Sequence, residues 1–457
     1  MKKIINKRII MFRFMSSLLA SMLLITAVTG CSKDEISIES KTVLTLATMF
    51  VNPALHKAVN NFNISNDQYT IDIIDYSNYD TETDNRAGYT RLVTEITSGK
   101  IPDILNLWPL LPAHPYAAKG LLEDLYPFID SDPELSRNSL IENVRKLSEI
   151  NGGFYRVFPG FYISSLLGPS SLLGEDMGWT ARELRALLEA NPQADIPFGT
   201  SLNSKWFLNY TVAASMDQFI NHSEGTCSFE SDEFIYLLEL ARTLPSENDY
   251  YPEESNLIAE GRQIMVEERV YRSFKYIQVY KALFDDNIVF KGFPTESGIG
   301  NSISLDHALA MTTACTDKQG AWEFLRMFLT EEFQRSYYNS TSFPGFPSNQ
   351  VIFNEVLEKV MTPTLKTDED GNEYEVSESN GFMGYQIEFF STTQEEAEQI
   401  ISVIASASFL NEHNSLDETV LMIIRESTSS YFAGASSAVE VARIIQSRVS
   451  ILIAEQG

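Results

Sequence analysis

The stretch Gly88 to Trp108, GYTRLVTEITSGKIPDILNLW, constrains this chain more than any other, because it reads as a helix that stops abruptly and delivers an apolar strand. Leu92, Val93 and Ile96 recur at helical spacing, Gly99 offers a left-handed stop, and Pro102 forbids the helix to continue. In the run Ile101 to Trp108, Ile104, Leu105 and Leu107 point both ways, as in a parallel strand covered on both faces. Two earlier stretches, Lys41 to Phe50 (KTVLTLATMF) and Tyr69 to Tyr76 (YTIDIIDY), are rich in β-branched residues and flank a short helical pattern from Pro53 to Phe62. The order strand, helix, strand, helix, strand predicts parallel strands joined by right-handed crossovers. In open parallel sheets ligands sit beyond the carboxyl ends of the strands, which here are Phe50, Tyr76 and Trp108.

The segment TSGKIPDILNLW, followed by AAKGLLEDLYPFID, resembles the first lobe of the extracellular solute-binding proteins of family 1, the lipoprotein partners of carbohydrate ABC importers. The resemblance covers about Lys41 to Gly457. It implies an α/β, periplasmic-binding-protein-like fold, with two α/β lobes joined by a multi-crossing hinge and a ligand cleft between them. Residues 42–160 and 302–343 would form lobe 1, and residues 161–301 and 344–457 lobe 2.

The amino terminus carries Lys2, Lys3, Lys7, Arg8 and Arg13 without an acid, and an apolar run follows from Phe14 to Val28. That is the pattern of a signal peptide, too short and wrongly flanked for an ordinary membrane span. It closes on Val28-Thr29-Gly30-Cys31, similar to the lipobox of bacterial lipoproteins. Residues 1–30 are therefore expected to be removed and Cys31 to become the lipidated first residue. Several acyl chains, at about 0.8 kcal/mol per buried CH₂, would hold the chain to the outer face of the cell membrane. Residues 31–41 then form a polar tether, whose stretch from Ser32 to Lys41 spans at most about 36 Å. The formal net charge of −28 argues against nucleic acid as a partner and against flat adsorption on anionic lipid, so the anchor does the attaching.

Asn151 to Tyr162, NGGFYRVFPGFY, combines a two-glycine turn with a strand that breaks at Pro159-Gly160, a fixed φ beside a permissive one. By the resemblance this is the first hinge crossing, and Tyr162 lies near the cleft. Thr180 and Glu183 form a capping box that starts a helix through Glu189, with Trp179 before it as core. Asp232 to Leu244 reads as an amphipathic helix. Gln263 to Val266 reads as a strand emerging at the cleft, where the family carries an aromatic wall; Tyr271, Phe274 and Tyr276 compete for that place. The glycines of IVFKGFPTESGIGN, Ile288 to Asn301, mark a return crossing rather than a phosphate cradle, since no Lys-Ser/Thr follows. Ala308 to Ala314 is expected as a strand back in lobe 1, and Lys318 to Leu329 as a helix with Trp322 in the core. SFPGFP, Ser342 to Pro347, suggests a third crossing with Phe343 and Phe346 near the cleft. Asp370-Gly371 reads as a hairpin turn rather than a calcium loop, because Lys366 and Ser377 stand at the first and twelfth ligand positions. Capping boxes at Thr393/Glu396, Ser415/Glu418 and Ser437/Glu440 open the closing helices. Cys227 and Cys315 are expected as free buried thiols, and the protein as a monomer.

An enzyme would need a nucleophile, a metal or paired acids. His56, His114, His222, His307 and His413 show no metal-ligand spacing, and there is no HExxH, G-x-S-x-G or phosphate loop. No catalytic residue, metal or cofactor is therefore expected. Binding has positive support, because sugars present flat C–H faces and aromatic side chains offer rigid apolar platforms at low entropic cost. The candidate ligand-contacting residues are Phe50, Tyr76, Trp108, Tyr162, Tyr271, Phe274 and Phe343. Pro109-Leu110-Leu111-Pro112 stands where relatives commonly place polar or acidic groups, so either the other lobe supplies the hydrogen bonds or the solute class differs. The leading reading is a receptor that delivers a sugar or oligosaccharide to an ABC permease. Its rivals are a receptor for a cationic solute, such as a polyamine or quaternary amine held by aromatic walls with Asp75, Asp80 or Asp306, and a surface lipoprotein binding a protein partner.

Overall fold

The computed structural model of the protein describes residues 41–107, 111, 113–221, 224–246, 256–271, 273–339, 345–382, 385–409 and 415–456. The leader, Cys31, Trp108, His222, Phe343 and His413 lie outside the described residues.

The first sheet is built by β1 (Thr42–Thr48), β2 (Tyr69–Asp75), β3 (Ile104–Asn106) and β8 (Leu309–Met311), in the order β8-β3-β1-β2. Strand β1 pairs parallel with both β2 and β3, and β8 runs antiparallel to β3. Both faces are covered as expected. Leu44, Leu46, Ile71 and Ile104 join Phe62 of α1 (Pro53–Ser65) on one side, and Ala47, Leu105 and Leu107 join Leu92 and Ile96 of α2 (Ala87–Thr97) on the other. Helix α2 ends as its sequence predicts: Gly99 takes φ +88°, and the N–H groups of Gly99 and Lys100 bond the carbonyls of Ile96 and Glu95. The third strand is shorter than the apolar run. Pro102 has no N–H to offer a ladder, and the Asp103 carboxylate instead accepts from Thr45 N and Thr45 Oγ1, both at 2.8 Å.

The second sheet is organised by β4 (Gly160–Pro169), buried along nearly its whole length. Its amino-terminal half lies between β9 (Phe346–Pro347) and β7 (Ser302–Asp306), with β14 (Ser408–Phe409) beyond β7. Strands β5 (Val266–Val270) and β6 (Ile288–Phe290) also pair with β4, antiparallel. Three segments connect the sheets: the entry to β4 at Pro159-Gly160, the passage from β7 through His307 and Ala308 into β8, and the segment at β9. Ser302–Asp306 is thus a strand of the second sheet, and the chain regains the first sheet only at Leu309.

Alternation along β4 sorts its side chains. Phe161, Ile163 and Leu167 enter the large core with Phe274, Phe290 and Phe346. Leu166 enters a second core built by α3 (Ala181–Ala190), α4 (Ser204–Ala214), α5 (Asp232–Arg242), α8 (Ser415–Phe432) and α9 (Ala438–Gln456). Trp179 and Trp322 are core residues, at 6 % and 4 % exposure. The capping boxes at Thr180, Thr393 and Ser437 form as read; the side chains of the Ser415 box lie outside the described set. Helix α6 (Lys318–Met327) covers the first sheet, and Asp370-Gly371 turns a hairpin between β10 (Leu365–Thr367) and β11 (Glu373–Glu375). A second hairpin, β12 (Glu378–Phe382) and β13 (Tyr385–Phe389), packs on the helix Tyr276–Phe284, and α7 (Gln394–Ser406) follows. Cys227 and Cys315 are free thiols, Cys315 buried and Cys227 partly exposed. Among the described residues no helix is long and apolar enough to cross a membrane.

Candidate functional site

A strand buried on both faces, as β4 is along nearly its whole length, is expected to read as a near-continuous apolar run. The face of β4 that bears Tyr162 and Ser164 departs from this rule. Antiparallel register puts Ser304 opposite Tyr162, and Ser302 opposite Ser164, on β7. On the other flank β5 puts Arg269 opposite Ser164 and Glu267 opposite Leu166. Tyr271, one residue beyond β5, meets Tyr162 with ring centroids 5.3 Å apart. Two rows therefore cross the sheet where the hinge strands enter it: Tyr271, Tyr162 and Ser304, then Arg269, Ser164 and Ser302.

The electrostatics of this patch are unusual for a sheet interior. The hydroxyls of Ser164, Ser302 and Ser304 are shielded from solvent and have no hydrogen-bond partner among the described residues. Leaving a buried hydroxyl unmatched costs about 1–3 kcal/mol, so such a group is retained where something else is to bond it. Burial pushes the Glu267 carboxyl up, while the Arg269 guanidinium pulls it the other way. Arg269 Nη2 donates to Tyr210 Oη at 3.4 Å.

Tyr210 belongs to α4, whose start is fixed by Asn203: its Oδ1 accepts from the N–H groups of Lys205 and Trp206. The i, i+4 spacing then lays Trp206 over Tyr210, centroids 5.7 Å apart and planes 27° from parallel, and Phe293 supports Tyr210 from another side. Trp206 is 43 % exposed. The assembly offers aromatic faces, hydroxyls, a guanidinium and a carboxylate, which is equipment for holding a polar molecule with apolar faces. Among the described residues no group of His, Cys, Asp or Glu is placed to hold a metal ion.

No protein-family model matches the sequence, and no curated protein matches it. Solved structures do. The sugar-binding protein MalE from the phytopathogen Xanthomonas citri superposes with a TM-score of 0.58 at 14 % identity, over 91 % of this chain and 98 % of that one. An ABC substrate-binding protein from Listeria monocytogenes in complex with cycloalternan gives 0.55 at 15 %, over 91 % and 100 %. An extracellular solute-binding protein of family 1 from Alicyclobacillus acidocaldarius gives 0.52 at 12 %, over 91 % and 99 %. This chain has the fold of the extracellular solute-binding proteins of family 1. These similar structures are binding proteins, and the one from Listeria monocytogenes is a substrate-binding protein of the ABC class.

Within this family 1 fold the residues expected at the cleft separate into groups. Tyr162 and Tyr271 are brought together, at the foot of the hinge strands. Phe50 follows the end of β1 and is 48 % exposed; its N–H and carbonyl both bond Thr48 Oγ1, which also accepts from Asn106 Nδ2. Tyr76 goes elsewhere. It is 3 % exposed, and its hydroxyl donates to Glu95 Oε2 at 2.8 Å; burial and that bond push it up to about 12. Phe274 is enclosed in the core against Phe346 and Phe353, which also places Phe346 away from solvent. Trp108 and Phe343 lie outside the described residues.

The sequence reading passed over Trp206, Tyr210, Arg269, Glu267 and the three serines. Two signals were present. Glu267, Arg269 and Tyr271 alternate at the period of a strand with one polar face. Asn203 followed by Trp206 and Tyr210 is a cap followed by an aromatic i, i+4 pair.

Proposed function

We propose that this protein is a lipid-anchored extracellular receptor of an ABC importer, which binds a sugar or oligosaccharide between its lobes and closes on it for delivery to the permease. The observation that carries this reading is the polar and aromatic face of the second sheet at the hinge: Tyr162 and Tyr271 beside Arg269, Ser164, Ser302 and Ser304. Sugar rings need flat apolar contact and several hydrogen bonds at once, and this face offers both. The similar structures include a sugar-binding protein and one holding cycloalternan, which supports the same solute class.

A cationic solute fits less well. Arg269 stands in the middle of the patch and would repel an ammonium. Asp75 accepts from Ser77 N and Oγ, and Asp80 from Gly88 N, so both carboxylates hold local turns.

Solute contacting both lobes stabilises the closed state, because only that state offers both sets of contacts. Cys31 as lipid anchor, residues 31–41 as tether, the lobe boundaries near residues 160, 307 and 343, the second moved from 302 because Ser302–Asp306 pairs within the second sheet, the monomeric state and the permease as partner belong to the same proposal. No residue is assigned a catalytic role.

A thermal-shift screen of the purified mature chain against saccharides, polyamines, quaternary amines and amino acids tests it. A solute at 100 times its Kd should add about 2.7 kcal/mol of stability. A saccharide hit supports the reading, and a hit confined to amines replaces it. Cys31→Ala tests the anchor: the variant should leave the membrane fraction.

A further inference from the structure

We propose that the protein carries a calcium site beside its second core, in a small cavity between α4, the first turn of α5 and the loop after β6, where the carboxylates of Glu233 and Glu296 and the hydroxyl of Thr211 hold the ion.

The polar residues lining this cavity are Thr211, Ser215, Gln218, Glu233, Thr295 and Glu296; no Lys, Arg or His is among the lining residues. It leaves about 20 Å³ for the centre of a water-sized sphere. One such sphere needs about 10–15 Å³, so the space suits a single ion and excludes an organic molecule.

Thr211 is the strongest sign of a ligand. It is 1 % exposed, and its hydroxyl has no hydrogen-bond partner among the described residues. A helical threonine can turn its hydroxyl back onto the i−4 carbonyl, as the equally enclosed Thr428 does onto Ile424 O at 2.7 Å. Thr211 makes no such bond within α4, and the space it lines is this cavity. A buried hydroxyl left unmatched is costly, so it is retained where something else is to bond it.

The carboxylates complete the set. Glu233 and Glu296 are exposed, and neither makes a hydrogen bond or ion pair among the described residues. Two uncompensated negative charges at one small cavity repel each other, and a cation between them turns that repulsion into attraction. The segment bearing Glu296 is fixed in place: Thr295 N donates to Trp179 O at 3.0 Å, just before α3, and Gly298 N closes the turn on Thr295 O at 3.1 Å. No three of His, Cys, Asp and Glu converge among the described residues, so the ion would be held by two carboxylates and by neutral oxygens. An all-oxygen set selects a hard cation. Magnesium keeps several of its waters, for which a space of one sphere has no room, whereas calcium takes carboxylate and amide oxygens in flexible number.

The test titrates calcium chloride, and magnesium chloride in parallel, into the EDTA-stripped mature chain by calorimetry. One calcium per chain should bind with a Kd below about 1 mM, the weak end of extracellular calcium modules, and should raise the melting temperature; magnesium should bind more weakly. Glu233→Gln and Glu296→Gln should each lower calcium affinity about tenfold and, being exposed, should melt in EDTA as the parent does. Thr211→Val should also weaken calcium binding yet melt no lower than the parent in EDTA, because it removes a hydroxyl that nothing else bonds. No calcium binding in that range, or binding that both glutamine variants leave at full strength and that therefore lies elsewhere on this acidic chain, overturns the inference. Magnesium bound as tightly as calcium overturns the choice of ion.

Discussion

Asn52 and His307 are hydrogen-bonded side chain to side chain, Asn52 Nδ2 to His307 Nε2, where the first lobe meets the hinge. Asn52 Oδ1 also accepts from Leu55 N at 2.8 Å and so caps α1, while His307 holds a left-handed conformation, φ 49°, between β7 and β8. One side chain thereby ties a helix start to a crossing. Asn52→Ala should lose both, lowering stability by about 1–2 kcal/mol, read as a reduced urea midpoint. Asn52→Asp keeps the cap and should fall in between.

Gly88 opens α2 against the turn at Tyr76. A Cβ there would stand 2.0 Å from the Tyr76 carbonyl oxygen and 2.8 Å from its carbon. Helix propensity favours alanine over glycine by about 1 kcal/mol, but the obstacle is backbone and cannot swing aside. Gly88→Ala should therefore destabilise, by about 1–3 kcal/mol. A variant as stable as the parent would show that α2 does not pack this closely.

Tyr76→Phe removes only the hydroxyl that bonds Glu95. Stability should drop by about 1 kcal/mol with solute affinity unchanged. An affinity loss without a stability loss would return Tyr76 to the binding face.

Asp132 predicts the acid limb of stability. Burial raises its carboxyl, but Arg326, through Nε at 2.6 Å and Nη2 at 2.9 Å, and the N–H groups of Glu134 and Leu135 outweigh this and hold it at about 2. Because the folded value lies below the ordinary 3.8, the contribution is fully present above about pH 4 and is lost as pH falls toward 2. At full size it is about 2 kcal/mol. Urea unfolding between pH 2 and 6 should show Asp132→Asn less stable near neutrality and flatter on the acid side.

The first lobe was legible because its signals are local. The run ILNL, the stop at Gly99 and the β-branched stretches each speak for a few neighbouring residues, and parallel strands buried on both faces follow from them. The candidate site was legible only in part. Tyr162 could be placed beside a crossing because Pro159-Gly160 marks one, and it does stand there against Tyr271. Tyr76 was misplaced by the rule of strand ends: the chain turns at once into the segment Tyr76–Tyr79, with Asp75 capping Ser77, and the ring swings under α2. Phe274 lies three residues past Tyr271, yet the chain has begun a new turn there and buries it. Arg269 and Ser302 illustrate the remaining difficulty. They share a row only because β5 and β7 flank β4, and strand register between segments so far apart in sequence is written in no local pattern.

The hinge has a mechanical consequence. Its crossings meet the second sheet at β9, β4 and β7, which are immediate neighbours bonded edge to edge. A ribbon three chains wide flexes readily about the line across it, but wringing it would shear the N–H···O bonds between neighbours. Rocking is thus soft and torsion stiff. Under the closure proposed above, each opening stroke returns along its own arc, and the same surfaces face each other every time.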